Sequence, residues 1–355
     1  MDKKAVLDPT TGLSCPIPIT EYKNVLLAHG GGGRLTQQMI QRMFLPSFRN
    51  EFLEPLHDGA VVPFQGVRMA FTTDSYVVNP IVFPGGDIGA LAVNGTVNDL
   101  AMCGARPLYL SAAFIIEEGF PMDDLWRIVR SMETASRNAG VLLVTGDTKV
   151  VDRGKGDKIF INTSGVGAIE SGVDIHPKRV KAGDRIILSG PIALHGIAIM
   201  SVREGLEFET RIESDTAALH ELVTTMLGAS KEVHGLRDPT RGGLASALNE
   251  IAEAARVGIS ISEDRILIGE EVKGACEILG LDPLYVANEG KLVAFVDPGE
   301  TDRVLAAMRR HPLGKEAAVI GEVVADHPGT VVMKSRIGGR RVVDMLSGEP
   351  LPRIC

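Results

Sequence analysis

The sequence predicts a two-domain protein of the α+β class, with strands and helices mixed inside each domain. Its 355 residues are about twice an average domain. A composition of 45% apolar and 23% charged residues supplies enough apolar side chains for two cores. Strand-like and helix-like periods alternate in two successive stretches. The order βαβαβ with hairpin-like strand pairs favours a mixed sandwich over a doubly wound sheet.

The elements follow in order. Residues 1–28 are punctuated by Pro and Thr and read as a leader arm. A Gly-rich turn, His29 to Gly33, opens the amphipathic stretch RLTQQMIQRMF, so a loop leads into a helix. MAFTTDSYVV is a strand running into a loop, and DIGALAVNGTVNDLAMCGA has helical spacing up to Gly104. PLYLSAAFII is a buried strand. The amphipathic helix after it has Pro121 near its start and Gly140 as its stop. VLLVTGDTKVV and KIFINTSGVGAIE are strands that close a first unit near residue 170. The second unit, 171–325, begins with the strand DRIILSG. Helices follow around 195–205 and 214–229 and in GGLASALNEIAEAARVG. ISISEDRIL, ANEGKLVAFV and AAVIGEVV are strands, and EEVKGACEILG and TDRVLAAMRRH are helices. TVVMKS and RRVVDML make a β-rich end, 326–355, which finishes in the tail SGEPLPRIC. The domain reading is therefore 1–45 as arm and Gly-rich segment, 46–170 and 171–325 as domains, and 326–355 as β segment and tail.

Charge and cysteine usage narrow the function. Against 45 acidic residues stand 37 basic ones, a net charge of −8, which argues against a general nucleic-acid or anionic-membrane binder. No apolar run approaches the ~20 residues that span a bilayer. The start, MDKKAVLDPTTGL, lacks the apolar core of a secretory signal. A cytoplasmic protein with reduced thiols is expected. The four cysteines, Cys15, Cys103, Cys276 and Cys355, form no C-x-x-C, which excludes a zinc ribbon or a disulfide framework. Cys103 and Cys276 fall on apolar helix faces and read as core. Cys355 is the last residue, whereas a prenylation box needs its cysteine fourth from the end.

Seven segments could carry chemistry. The turn at Gly31, Gly32 and Gly33 is either a hinge or a backbone cradle for an anion, and no Gly-Lys-Ser/Thr makes it a Walker A loop. Asp74 in TTDS, Asp99 in VNDLA and Asp147 in TGDTK lie beside strand ends. Each is a cap or turn residue, or a hard oxygen ligand for Mg²⁺. In RDPTRGG, Asp238 and Thr240 can cap the next helix or face a ligand that the two glycines let approach. Asn288-Glu289-Gly290-Lys291 reads first as a hairpin turn and second as a carboxylate presented to a site. The two prolines of PLPRIC hold the tail extended, with a thiol at its tip that becomes a nucleophile once deprotonated.

Taken in order, HGGGGRL, TTDSYV, FPGGDIG, VNDLAMCGARPLYLS, VTGDTKVV, RDPTRGG, ANEGKL and the terminal PRIC resemble the HypE family of hydrogenase maturation proteins. This family lies in the superfamily of aminoimidazole ribonucleotide synthetase and selenophosphate synthetase. The resemblance covers residues 25–355. Gly31 departs from it, since the family often has Ser there, and the leader is longer than the family's. The resemblance implies a PurM-like fold whose N-terminal domain dimerises through its strands. It implies ATP and Mg²⁺ in a cleft, with Asp74, Asp99 and Asp147 as metal ligands. Asn98, Thr148 and Asp238 would join the nucleotide site, and the Gly-rich segment would close over the phosphates. Cys355 would accept a carbamoyl group from HypF. Its ATP-dependent dehydration to a thiocyanate would use Glu289 as base and Lys149 as its partner or charge stabiliser. The cyano group would pass to iron on a HypC–HypD complex, and the tail would swing between inward and outward positions.

Overall fold

The structure is a computed structural model that describes residues 22, 24–206, 212–348 and 351–355. Most of the leader, including Cys15, lies outside the described residues. After the Gly-rich turn, α1 (Arg34–Met39) runs through a π-helical stretch, Ile40–Phe44, into α2 (Leu45–Phe48).

In the first domain, β1 (Ala60–Phe64) and β2 (Val67–Tyr76) form a hairpin, and β3 (Val82–Phe83) and β4 (Gly86–Asp87) form a small two-stranded sheet. Next come α3 (Ile88–Met102), β5 (Ala105–Glu117), α4 (Met122–Asn138), β6 (Leu142–Val151) and β7 (Ile159–Ile169). The five-stranded sheet has the order β1-β2-β7-β5-β6. Along β7 every second side chain is buried, the signature of a sheet with one packed face. The Asp87 carboxylate accepts from Gly89 N and Ala90 N at 2.8 and 2.9 Å and so fixes the start of α3.

The second domain continues with β8 (Arg185–Leu188), α5 (Leu194–Arg203), α6 (His220–Ala229), β9 (Val233–Arg237), α7 (Gly243–Ala255) and β10 (Gly258–Ser262). It ends with α8 (Glu270–Leu279), β11 (Val293–Val296), α9 (Thr301–Arg310), β12 (Ala318–Val324), β13 (Val331–Lys334) and β14 (Arg340–Val342). Its seven strands run in the order β14-β13-β10-β12-β8-β11-β9. The sheet passes through residue 325 without a break, because β13 pairs in parallel with β10. Residues 326–342 therefore belong to the second domain and are not a separate end segment.

The two domains share their cores. α3 packs against β2, β5 and β7 on one side and meets α6 and β9 of the second domain on another, which is why it is buried on nearly every face. One apolar cluster joins Tyr76 and Leu91 of the first domain to Phe295, Ile354 and Cys355. The domain boundary is thus packed through a shared apolar core.

Two element expectations are corrected. The helix read over 214–229 begins at His220, because Ser214 N bonds Pro84 O at 2.8 Å and Leu219 N bonds Asn98 Oδ1 at 2.8 Å. Residues 288–291 are not a hairpin turn either. The strand after them starts at Val293, and the segment before them is a 3₁₀ turn at Pro283–Tyr285.

Candidate active site

Three carboxylates meet at the domain boundary. Asp58 precedes β1, Asp99 lies in the last turn of α3 and Asp238 follows β9. They bring oxygens within 4.8 Å of one another. Thr72 of β2 holds two of them in register, its hydroxyl lying 2.8 Å from Asp99 Oδ2 and 2.9 Å from Asp58 O. Arg237 Nη1 lies 2.7 Å from Asp58 Oδ1 and pairs through its other nitrogen with Glu250 on α7.

The electrostatics separate the three. Burial pushes Asp58 up, but Arg237 and His57 outweigh it and hold the carboxyl below its ordinary range. Asp99 is pushed well up by burial first and then by Asp238 and Asp74. Asp238 is pushed up to about 8 by burial first and then by Asp58, with Arg237 opposing. Crowded carboxylates with one arginine among them suit a small hard cation, so the donor set fits Mg²⁺.

Glu289 is a fourth carboxyl in the same electrostatic field. It is buried, and among the described residues its Oε1 has no hydrogen-bond partner. Burial first, then Asp238, Asp74 and Asp215, push it well above the ordinary carboxyl range, while Arg241 opposes. The loop that presents it is stitched down at each residue. Asn288 Oδ1 accepts from Ala193 N at 2.7 Å, and its amide donates to Pro239 O at 2.8 Å. Glu289 N donates to Asp215 Oδ1 at 3.1 Å. Gly290 is required there, since a Cβ would lie 1.8 Å from Asp215 O. Lys291 Nζ sits 3.1 Å from Asp215 Oδ2.

The Gly-rich turn closes one side of the cleft. Arg34 N bonds Leu346 O at 2.8 Å, and a Cβ on Gly33 would fall 2.3 Å from that same oxygen. Arg241 Nη1 donates to Gly30 O at 3.2 Å. Beneath the turn is a cavity of about 190 Å³, lined by Gly30, Gly31, Val77, Arg241, Tyr285 and Cys355 among others. The tail is docked inward there, and the Cys355 side chain is buried. Cys103 and Cys276 are buried in the core, in accord with the sequence reading.

Some expected residues lie elsewhere. Asp99 belongs to the carboxylate cluster, Asp74 lies outside it but acts on it electrostatically, and within one chain Asp147 does neither. It lies on β6, exposed and paired with Lys149 at 2.8 Å, and that partner holds its carboxyl low. Thr148 shares that exposed strand. Asn98 is turned toward protein, donating to Ala217 O at 3.0 Å and accepting from Leu219 N, so it stitches the domains together. Asp58 and Arg237 complete the cluster and were missed. The signal for Asp58 was His-Asp-Gly at 57–59, just ahead of an apolar strand.

Residues 56–169 match the family described as AIR synthase related protein, N-terminal domain, and residues 181–334 match its C-terminal domain. Two such domains with carboxylates gathered at their boundary define the AIR-synthase-related class. The carbamoyl dehydratase HypE of Cupriavidus necator is 56% identical over 330 residues, covering 93% of this chain and 94% of that one. A HypE solved in complex with HypF superposes with a TM-score of 0.83 at 47% identity, over 87% of this chain and 99% of that chain. A HypE solved with ATP gives 0.79 at 47% identity, over 94% and 100%. The chain belongs to the HypE family of carbamoyl dehydratases. Among the described residues no helix is long and apolar enough to cross a membrane.

Proposed function

We propose that this chain is an ATP-dependent carbamoyl dehydratase of hydrogenase maturation, and that the carbamoyl group rides on Cys355. One observation carries the reading. Arg241 and Cys355 line the same cavity, and Cys355, Asp74 and Glu289 all strengthen the hold of Arg241 on its proton, so the tip of the tail shares one electrostatic neighbourhood with those two carboxyls.

The chemistry follows from the leaving group. Removing water from S–C(=O)–NH₂ asks oxide or hydroxide to leave, and both leave poorly. Transfer of the γ-phosphoryl of ATP to the carbamoyl oxygen turns that oxygen into phosphate. The C–O bond then breaks as both N–H protons are lost and C≡N forms. Thiocarbamate and ATP become thiocyanate, ADP and phosphate. Glu289, buried and with an oxygen free to accept, is the base in this reading. Arg241 offsets negative charge that develops beside Cys355. Asp58, Asp99 and Asp238 would hold Mg²⁺, which neutralises phosphate charge. Because the tail brings its own substrate, the reaction is effectively intramolecular.

Asp147, Thr148 and Lys149 enter the proposal through a second copy of the chain. β6 is an edge strand exposed on both faces, with Leu142, Val144 and Val150 each more than half exposed. An apolar edge of this kind is managed by pairing. A homodimer across β6 would cover it and carry Asp147 and Lys149 toward a neighbouring cleft. A Val144→Asp protein is expected to sediment as a monomer where the parent is a dimer.

HypF would load the carbamoyl group, and a HypC–HypD iron complex would receive the cyano group. The rival reading is a carrier whose Cys355 only holds the group for other enzymes. Protein preloaded at Cys355 should release about one ADP per carbamoyl group, and Cys355→Ala protein none. A carrier would release none in either form.

A further inference from the structure

We propose that Arg203 is a positioning residue for the dehydration step, a clamp that reads the main chain of the docked tail and sets how long Cys355 stays in the cleft. The proposal rests on the reading of Cys355 as the residue that bears the carbamoyl group during dehydration.

Arg203 ends α5. It donates through Nη1 to Pro352 O at 2.5 Å, through Nη2 to Arg353 O, and through Nε to Asn79 O of the first domain. His195, in the first turn of the same helix, faces the next carbonyl, Ile354 O, at 2.7 Å through Nε2. That ring is fully buried, and burial above all pulls its pKa down, so it docks as a neutral donor, with Nδ1 accepting from Ser214 Oγ at 2.7 Å. Val77 N completes the series by donating to Cys355 O at 3.1 Å. Four successive main-chain oxygens of the tail are therefore occupied, and the carbonyls of Pro352, Arg353 and Ile354 are read by two side chains of one helix.

The geometry is selective for conformation. Arg353 sits at φ +54°, the left-handed region that a side-chain-bearing residue adopts at a cost. That kink brings the carbonyls of Pro352 and Arg353 onto one guanidinium, whose planar fork suits two acceptors. The Arg203 and His195 contacts go to tail carbonyls and not to the Cys355 side chain, so the clamp holds the tail whatever group the sulfur carries. A carrier that must dock carbamoylated and depart as a thiocyanate needs that indifference. Burial first and Arg353 second weaken the hold of Arg203 on its proton, so the two cations repel. The ion pair of Arg353 with Asp157 and its bond to Val77 O at 2.9 Å offset that repulsion.

The test uses Arg203→Gln and Arg203→Lys in the full chain. Without ATP, alkylation of Cys355 by iodoacetamide, localised by peptide mass, should run about tenfold faster in Arg203→Gln, the scale expected on losing charge-assisted bonds to a half-buried cation. Arg203→Lys, which keeps the charge but not the fork, should fall between. Single-turnover dehydration of preloaded protein should slow by a similar factor, while loading by HypF does not slow. Acceleration confined to Cys355 supports the clamp. Unchanged alkylation in a folded Arg203→Gln protein overturns it, and so does equal acceleration at the buried Cys103 and Cys276, which marks general loosening. If Arg203→Gln does not fold, Arg203→Lys decides by the same criteria. Faster alkylation beside a parent protein that never dehydrates its load would sink the dehydratase reading and leave the hold of Arg203 on the tail standing.

Discussion

A Glu289→Gln protein is expected to accept a carbamoyl group and bind ATP, yet to dehydrate about 10²- to 10⁴-fold more slowly, the range for loss of a positioned general base. The amide keeps the volume of the side chain. It leaves intact the backbone bonds that hold the loop, including Glu289 N to Asp215 Oδ1 at 3.1 Å. What it removes is the oxygen that can take a proton. That oxygen is buried and without a partner among the described residues, and burial with the surrounding aspartates raises its basicity. Rapid-quench measurement of thiocyanate in preloaded protein checks the prediction. A normal rate with Gln in place would take Glu289 out of the role.

An Asp99→Asn protein should lose ATP-dependent turnover on the order of a hundredfold or more, because a bound metal is worth several kcal/mol of charge stabilisation. The same change should steady the metal-free fold. Asp238 titrates near 3.8 when unfolded and is pushed up to about 8 when folded, chiefly by burial and then by Asp58. The folded chain therefore keeps a proton that the unfolded chain has released. Its stabilising effect is complete below about pH 4 and is lost as the pH climbs toward 8. With chelator present, Tm should fall across that window. Added Mg²⁺ should restore it, by binding the folded state alone. Asp99→Asn should flatten the fall, since it removes a carboxylate that burial and Asp238 force upward together. A chelated parent protein whose Tm rises over that window would contradict the cluster's electrostatics.

Local signals carried much of this architecture. The strand of VLLVTGDTKVV, the helix opened by Asp87 and the loop before α7 are each written in a short run of residues, and the structure has each near its expected place. Features that depend on distant partners were less legible. β9, spelled Val-His-Gly-Leu-Arg, lacks alternation and becomes a strand only between β11 and the domain boundary. The start of α6 is set by Asn98 of the other domain. At the site, Asp74, Asp99, Asp238 and Glu289 were marked by glycines and strand ends nearby. Asp58 resembled turn punctuation, and its meaning comes from Arg237 and Asp99 far along the chain. Arg203 is one basic residue at a helix end, a place where such residues are common, and nothing local marks it as a partner of the tail. Asp147 and Lys149 read as site residues, yet within one chain they pair with each other on an open edge. A single sequence does not say what covers that edge.

The central claim is that Cys355 bears the group that is dehydrated. Intact-mass spectrometry of the full chain after incubation with HypF, carbamoyl phosphate and ATP tests it most directly. One carbamoyl group should appear first, followed by loss of one water, with both changes mapping to Cys355 and neither occurring in Cys355→Ala protein. Carbamoylation at another residue, or a loaded Cys355 that keeps its water in the presence of ATP, would contradict the account.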